Sequence, residues 1–207
     1  MTELKRFYET FQPTHYNIYL DINRENKKIT GKTTISGNAK ESTISIHQKD
    51  LAVDTVQAND QDVSFTIDRD NDAIRIDLPQ AGETTLTVTY TAPLTDSMMG
   101  IYPSYYEVDG VKKQIIGTQF ETNFARQAFP CVDEPEAKAT FDLAIKFDEH
   151  AGETILSNMP EKKVENGVHY FDTTVRMSTY LIAFAFGELQ SKMTTTKITA
   201  MKRIVIL

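Results

Sequence analysis

The sequence predicts an all-β protein, an antiparallel β-sandwich with long structured loops. Apolar and polar residues alternate with a period of two in many short runs, so each run has one face for a core and one face for water. Turn-forming residues separate these runs at the spacing that is typical of a sandwich. No segment carries the long apolar stripe of an amphipathic helix, which excludes a helical bundle.

The alternating runs can be followed along the chain. They cover residues 44–46, 63–67, 74–78, 86–90 and 141–147. Asn, Asp, Gly and Pro cluster between them and predict turns at 23–28, 59–60, 69–72, 79–82 and 166–167. Residues 181–186 are apolar without alternation, which predicts a strand that is buried on both faces.

Two stretches depart from the alternating pattern. Residues 95–110 are rich in Tyr, Met and turn residues, so we expect a long structured loop there. Residues 121–135 follow a predicted short strand at 114–120, contain two prolines and have no period of two. Because loops that are fixed to a rigid sheet often carry function, the candidate site is expected in the second stretch.

Composition excludes several classes of function. The formal net charge of −7 argues against a nucleic-acid partner, which would need a basic face to neutralise phosphates. A single cysteine, Cys131, excludes an internal disulfide and is typical of a reducing compartment. The N-terminus lacks the features of a secretory signal, and the apolar run 180–186 is far shorter than the ~20 residues of a membrane helix. We therefore expect a soluble cytoplasmic protein with no membrane partner.

One short motif resembles the end of a phosphate-binding loop. Gly31, Lys32 and Thr33 match its last three positions, but Asn26 stands where that loop needs its first glycine. The surrounding residues have the pattern of a strand, not of a strand-to-helix turn. We interpret the motif as the polar face of a strand.

The potential metal ligands are scattered along the sequence. None of the four histidines, His15, His47, His150 and His169, has the spacing of a zinc site. A packing or hydrogen-bonding role is expected for His15, at the head of a strand. Cys131 has no identifiable partners for a catalytic triad and is expected to be a small buried apolar side chain. The sequence predicts neither a metal ligand nor a catalytic residue in this chain.

Acidic residues surround the candidate loop. Asp133 and Glu134 are expected to cap a turn or to pair with Arg126. Glu121 lies one alternation beyond Gln119 at the end of the predicted strand, so both side chains should point to the same face. A carboxylate beside a carboxamide can receive an ammonium group. The alternative is that Glu121 only supports the fold.

Residues 117–145, GTQFETNFARQAFPCVDEPEAKATFDLAI, resemble the signature of the aminopeptidase N family of zinc metallopeptidases. Further motifs resemble the same family in the same order: PTHY at 13–16, GKT at 31–33, MGIY at 99–102, SNMP at 157–160 and MSTYLIAF at 177–184. The resemblance covers roughly residues 7–196, and the sequence is similar to the soluble type of lactic acid bacteria.

The resemblance implies that residues 1–197 form a saddle-like N-terminal β-sandwich domain and that residues 198–207 form an atypical tail. It implies that Glu121 binds the free α-amino group of a peptide, with Gln119 beside it, while Arg126, Asp133 and Glu134 shape the loop. The family's zinc ion, which activates a water for attack on the peptide bond, is held by a catalytic domain with an HExxH motif and a GxMEN motif. Neither motif occurs in this sequence, so no zinc is expected on this chain.

Three functional hypotheses remain open at this point. The leading one is the substrate-anchoring domain of a zinc aminopeptidase, inactive alone, with peptide N-termini and the missing catalytic domain as partners and with a tendency to self-associate. The second is a free-standing β-sandwich binding module, which predicts secretion and leaves residues 117–121 unexplained. The third is a non-functional truncated fragment, which the unusual tail favours over the second.

Overall fold

The computed structural model describes residues 6–190, 194–196 and 199–201 of the 207-residue chain. Its strands are β1 (Phe11–Asn23), β2 (Lys28–Ala39), β3 (Thr43–His47), β4 (Ala52–Ala58), β5 (Gln61–Asp62), β6 (Phe65–Asp68), β7 (Ala73–Asp77), β8 (Gly82–Pro93), β9 (Gly100–Val108), β10 (Val111–Gln119), β11 (Thr140–Phe147), β12 (Thr154–Ser157), β13 (Glu161–Glu165), β14 (Val168–Phe171), β15 (Phe184–Gly187), β16 (Thr194–Thr196) and β17 (Thr199–Met201). Three short 3₁₀ helices span Phe7–Glu9, Ala125–Gln127 and Thr179–Leu181.

The strands form one large sheet and three smaller ones. The large sheet has eight strands in the order β13-β14-β11-β1-β2-β8-β4-β5. A four-stranded sheet has the order β12-β15-β10-β9, a three-stranded sheet the order β3-β7-β6, and β16 pairs with β17. All pairings are antiparallel except that between β1 and β11. The predicted all-β, predominantly antiparallel sandwich is confirmed.

The alternation in the sequence corresponds to burial. In β11, Phe141, Leu143, Ile145 and Phe147 are buried, and the residues between them are partly exposed. Inward-facing residues of the large sheet and of the two middle-sized sheets belong to one apolar core. The ring of Phe147 lies 4.2 Å from that of Phe186 on β15, which joins the eight-stranded and four-stranded sheets.

Residues 31–33 lie in strand β2, as predicted, but they do not form one polar face, because Gly31 and Thr33 face the core and Lys32 faces outward. Gly31 lies in β2, where the ring of Tyr90 on β8 covers it so closely that a Cβ atom would stand 2.2 Å from a ring carbon. The Thr33 hydroxyl is buried beside the Tyr90 hydroxyl at 3.2 Å. Because Gly31 and Thr33, the residues on either side of Lys32, face inward, Lys32 points to the outer face of the sheet.

The prediction of a long loop at 95–110 is wrong for most of its length. Residues Gly100–Val108 form β9, which pairs with β10 across a turn at Asp109 and Gly110, both with positive φ. The strand lies at the edge of its sheet, and Tyr105 and Val108 are exposed. Its residues therefore lack the apolar-polar alternation by which a half-buried strand is found.

The prediction of a doubly buried strand at 181–186 is also wrong. A 3₁₀ helix ends at Leu181, and β15 starts only at Phe184. Phe184 and Phe186 are buried, whereas Ala183 and Ala185 face outward. Since alanines occupy the outer face, the segment reads as continuously apolar although it buries one side only.

Part of the predicted tail lies outside the described residues. Of residues 198–207, only 199–201 are described, as β17; residue 198 and residues 202–207 are not. The predicted domain boundary, residue 197, also lies outside the described residues. Within the described ranges, no helix has the length and apolar character required to cross a membrane.

Candidate functional site

The candidate site is the end of β10 and the loop that follows it. Phe120 directly after the strand is buried, and its ring meets that of Phe129 edge-on at a centroid distance of 5.9 Å. The backbone N–H of Phe124 donates to the carbonyl of Phe120 over 2.9 Å. Residues 121–123 are exposed between these anchored positions. The loop thus presents a short exposed tip on a fixed base.

Gln119 and Glu121 lie side by side at this tip. Both side chains are exposed, whereas Phe120 between them points into the core. The backbone N–H of Glu121 donates to the Gln119 side-chain oxygen over 3.1 Å. That oxygen keeps a second lone pair, and the amide nitrogen keeps both of its hydrogens. The peptide bond between Glu121 and Thr122 is cis.

The carboxylate of Glu121 has no bonding partner among the residues that the structure describes. Its backbone bonds to Gln119, but neither a hydrogen bond nor an ion pair engages its carboxylate oxygens. An exposed carboxylate that supports no neighbouring group can bind a cation without giving up an internal contact. The chemistry open to this pair is therefore the binding of a group that carries N–H donors and positive charge.

Asp133 holds the base of the loop together. It is 4% exposed, and its Oδ2 accepts from the Arg126 Nε over 3.1 Å and from the Arg126 backbone N–H over 3.3 Å. Its Oδ1 accepts from the Thr179 hydroxyl over 2.7 Å. The expected pairing of Asp133 with Arg126 is confirmed, and the same carboxylate also connects the loop to the 3₁₀ helix at Thr179.

His47 supports the same loop from the neighbouring sheet. Its Nδ1 accepts from the backbone N–H of Asp133 over 3.1 Å, and its main chain pairs with that of Cys131. Burial, and then the positive charge of Arg126, lower the pKa of His47 to about 3. The imidazole is therefore neutral, which leaves Nδ1 with the lone pair that this hydrogen bond needs.

Glu134 connects the loop to the start of the described chain. Its Oε1 accepts from the backbone N–H of Phe7 over 2.6 Å, and its Oε2 is buried without a hydrogen-bond partner. Phe7 is itself buried, with its ring 4.3 Å from that of His47. The neighbouring Arg6 forms an ion pair with Glu136. Glu134 thus bonds to the N-terminal segment and not to Arg126.

Cys131 and His15 have the structural roles that the sequence predicts. Cys131 is fully buried, and burial raises the pKa of its thiol, which stays protonated. His15 places Nδ1 2.7 Å from the Thr140 hydroxyl on the parallel strand β11. Within the described ranges, no three His, Cys, Asp or Glu side chains are grouped so that they could hold a metal ion. The described residues therefore do not fit a zinc ion.

The strand that leads to Gln119 also forms part of an open groove. The groove lies on the outer face of the four-stranded sheet and has a volume of about 550 Å³. Its walls are mainly small or apolar side chains from all four strands: Tyr102, Ser104, Ile115, Gly117, Leu156, Ser157 and Ala185. Gly100, the first residue of β9, pairs with Gln119. The two residues before it, Met98 and Met99, are exposed.

Sequence reasoning missed three contributors to this site. His47, Thr179 and Phe7 lie far from residues 121–135 in the sequence, and each contacts the loop only because the sheets are packed together. A buried histidine in a strand and a threonine after a serine are common, so no local signal identifies them. Only the resemblance, which included residues 177–184, marked the Thr179 segment.

Comparison with known proteins agrees with this architecture. The sequence profile of the Peptidase M1 N-terminal domain matches residues 12–181. Aminopeptidase N of Lactobacillus delbrueckii subsp. lactis is 60% identical over 194 residues, and that of Lactobacillus helveticus is 57% identical over 195 residues. Both alignments cover 94% of this chain and 23% of the relative. Puromycin-sensitive aminopeptidase of Caenorhabditis elegans is 35% identical, over 90% of this chain and 21% of its own length.

The chain therefore spans about a quarter of the length of these relatives. The profile match includes both β10 and the loop base around Asp133, and it extends to the Thr179 helix. Because the match covers well over half of the chain, the chain belongs to the peptidase M1 family and carries its N-terminal domain.

Proposed function

We propose that this chain is the substrate-anchoring domain of a metallo-aminopeptidase that removes N-terminal amino acids from peptides. The observation that carries the proposal is the free, exposed carboxylate of Glu121 beside Gln119 on a rigid loop base. A peptide N-terminus is an ammonium group with three donors, and a carboxylate is its natural acceptor. Gln119 adds a second acceptor at the same tip.

The arrangement favours a role in ligand binding over a role in the fold. Among the described residues, the Glu121 carboxylate has no hydrogen bond or ion pair whose loss would weaken the domain, whereas Asp133 and Glu134 behind it are engaged with the chain itself. A carboxylate with a structural role is expected to be hydrogen-bonded within the chain, as those of Asp133 and Glu134 are. Rigid positioning matters because a receptor for the N-terminus also fixes the place of the first peptide bond.

The partner that completes the site is proposed to be a catalytic domain such as the longer relatives contain. The outer groove of the four-stranded sheet is suited to such a partner because small side chains allow close approach of another backbone. The exposed Met98 and Met99 lie beside Gln119 and would be covered by the same contact. Exposed apolar patches of this kind mark interaction surfaces. A cytoplasmic location stays a prediction.

The proposal can be tested in a chimeric enzyme. This chain would replace the aligned 194 residues of aminopeptidase N from Lactobacillus delbrueckii subsp. lactis. We expect the chimera to hydrolyse aminoacyl nitroanilides with a free amino group and to leave their N-acetylated forms intact. A folded chimera that hydrolyses both forms equally would contradict an anchoring role for the free amine.

The chain alone is predicted to bind no zinc tightly and to hydrolyse no aminoacyl substrate. The reason is the sequence, which lacks HExxH and has four scattered histidines. The measurements are metal analysis of the purified chain and an aminoacyl-nitroanilide assay, with the active chimera as the positive control. Stoichiometric zinc, or turnover that a chelator abolishes, would contradict the prediction.

Self-association of the chain alone is predicted at micromolar concentration. The outer groove is open in the part of the chain that the structure describes. The sequence of the tail contains a short β-prone apolar segment with Ile198, Ile204, Val205, Ile206 and Leu207. Deletion of residues 198–207 should reduce the association, and Leu181→Ser at the exposed helix end should reduce it further. Light scattering with the full chain and both variants measures the effect. A monomeric full chain would refute it.

A further inference from the structure

A second groove lies on a different sheet from Gln119 and Glu121. It has a volume of about 430 Å³ and opens on the outer face of the eight-stranded sheet. At its floor, Ala144 of β11 is flanked in register by Tyr19 of β1 and Tyr170 of β14. The two tyrosines are therefore two strand spacings apart, about 10 Å. The small side chain between them leaves a slot with an aromatic residue on each side.

The slot has dimensions that suit a flat ring. Because side chains on a strand stand roughly perpendicular to the sheet, the strand spacing also separates the two rings. A planar group midway between them would stand about 5 Å from each ring, within the 4.5–7 Å range of aromatic pairs. Both tyrosine side chains are partly exposed, so their surfaces can be reached from the solvent. The hydroxyl groups of both residues are additional hydrogen-bond donors at the rim.

Three lysines surround the slot. Lys32 lies opposite Tyr19 on β2, and Lys163 lies opposite Tyr170 on β13, with Lys162 next to it. The Lys163 ammonium is 4.7 Å from the Tyr170 ring centroid and 2.7 Å from a Glu165 oxygen. Within the described ranges, the ammonium groups of Lys32 and Lys162 have no hydrogen bond or ion pair.

The charge of the groove is opposite to that of the whole chain. Asp142 is the single acidic residue among those that line it, and its carboxylate is engaged by the Thr173 hydroxyl at 2.5 Å and by His15 Nε2 at 3.4 Å. Because Lys163 is already paired with Glu165, the two ammonium groups of Lys32 and Lys162 face one engaged carboxylate here, in a chain with a net charge of −7. Such a local field attracts an anion.

We propose that this groove is a binding site for a small planar anion, a ring that carries a phosphate or a carboxylate. The ring stands between Tyr19 and Tyr170 over Ala144, and the anionic group meets the free ammonium groups of Lys32 and Lys162. The site does not depend on the proposed anchoring of peptide N-termini, because it shares no residue with that site. It also gives Lys32 a role that the packing of Gly31 and Thr33 does not explain.

Fluorine NMR of the full chain labelled with 3-fluorotyrosine tests the proposal. The signals of the two slot residues are assigned from Tyr19→Phe and Tyr170→Phe. The probes are AMP and benzoate, which combine a ring with an anion, adenosine, which lacks the anion, and inorganic phosphate, which lacks the ring. AMP or benzoate should shift both signals with saturation. Adenosine and phosphate should bind at least about tenfold more weakly.

Three variants distinguish the contribution of the aromatic slot to binding from the contribution of the lysine charge. Ala144→Leu fills the slot without changing any charge and should abolish saturable binding. Lys32→Ala should weaken binding about threefold to tenfold. Lys28→Ala removes a lysine from the same face of the same strand outside the groove, and should leave binding unchanged. The proposal is overturned if neither AMP nor benzoate shifts the two signals, or if phosphate alone binds equally well and Ala144→Leu has no effect.

Discussion

Replacing Glu121 with Gln in the chimeric enzyme is expected to lower kcat/KM for substrates with a free amino terminus about 10- to 150-fold. The substitution keeps the shape of the side chain but removes the charge that holds the ammonium group. Hydrogen bonds to charged groups contribute roughly 1.5–3 kcal/mol, which corresponds to this range. If the contact also places the peptide bond for attack, kcat falls as KM rises.

Glu107→Gln is the matched control for this experiment. Glu107 is an exposed glutamate on β9, in the same sheet as Gln119, and its substitution removes the same charge away from the tip. The thermal unfolding midpoint should be unchanged in both variants, because neither carboxylate has a bonded partner among the described residues. Unchanged kinetics in a well-folded Glu121→Gln enzyme would mean that this residue is not the amine receptor. A lower unfolding midpoint with normal kinetics would indicate the structural role.

Replacing Asp133 with Ala is expected to cost about 3–5 kcal/mol of the free energy of unfolding of the chain. The Asp133 and Arg126 side chains are 1% and 12% exposed, so the substitution leaves a buried guanidinium without its counter-charge. It also leaves the Thr179 hydroxyl without its acceptor. Urea unfolding, followed by far-UV circular dichroism, measures the loss.

Two comparisons make the Asp133 result specific. Asp21→Ala breaks the ion pair with Lys146, in which the Asp21 and Lys146 side chains are 36% and 45% exposed, and should cost only about 0–1 kcal/mol. Combining Asp133→Ala with Arg126→Met removes the unpaired charge and should recover part of the stability. Equal losses for Asp21→Ala and Asp133→Ala, or no recovery in the double variant, would contradict the role assigned to Asp133.

The sequence was sufficient to predict the strands that are half buried. Buried and exposed residues alternate along β8 and β11 because one face of each strand meets the core and the other meets water. Apolar and polar residue types follow the same alternation, so the sequence alone identifies both strands. β9 was missed because an edge strand with exposed tyrosines has no such difference. In β15, alanines on the outer face hid the alternation. The failures thus occur where a strand lies at an edge or carries small residues toward a groove.

The candidate site was only partly predictable for a related reason. The pairing of Arg126 with Asp133 is local, since the two residues are seven positions apart, and their types reveal it. The bonds of Asp133 to Thr179 and of His47 to the Asp133 backbone span 46 and 86 positions. Such contacts depend on how the sheets pack, which alternation and turn residues do not determine. The resemblance included residues 177–184 and so marked the Thr179 segment, which no local pattern identifies.

The parallel pair of β1 and β11 has a consequence for the synthesis of the chain. β1 ends at Asn23 and β11 begins at Thr140, so more than a hundred residues must leave the ribosome before the two strands can meet. At 5–20 residues per second, this interval lasts roughly 6–23 s. During it, β1 can pair with β2, but its other edge has backbone groups without partners. A nascent chain in this state presents a template for strands of other chains, and the pairing of β11 with this edge of β1 removes it.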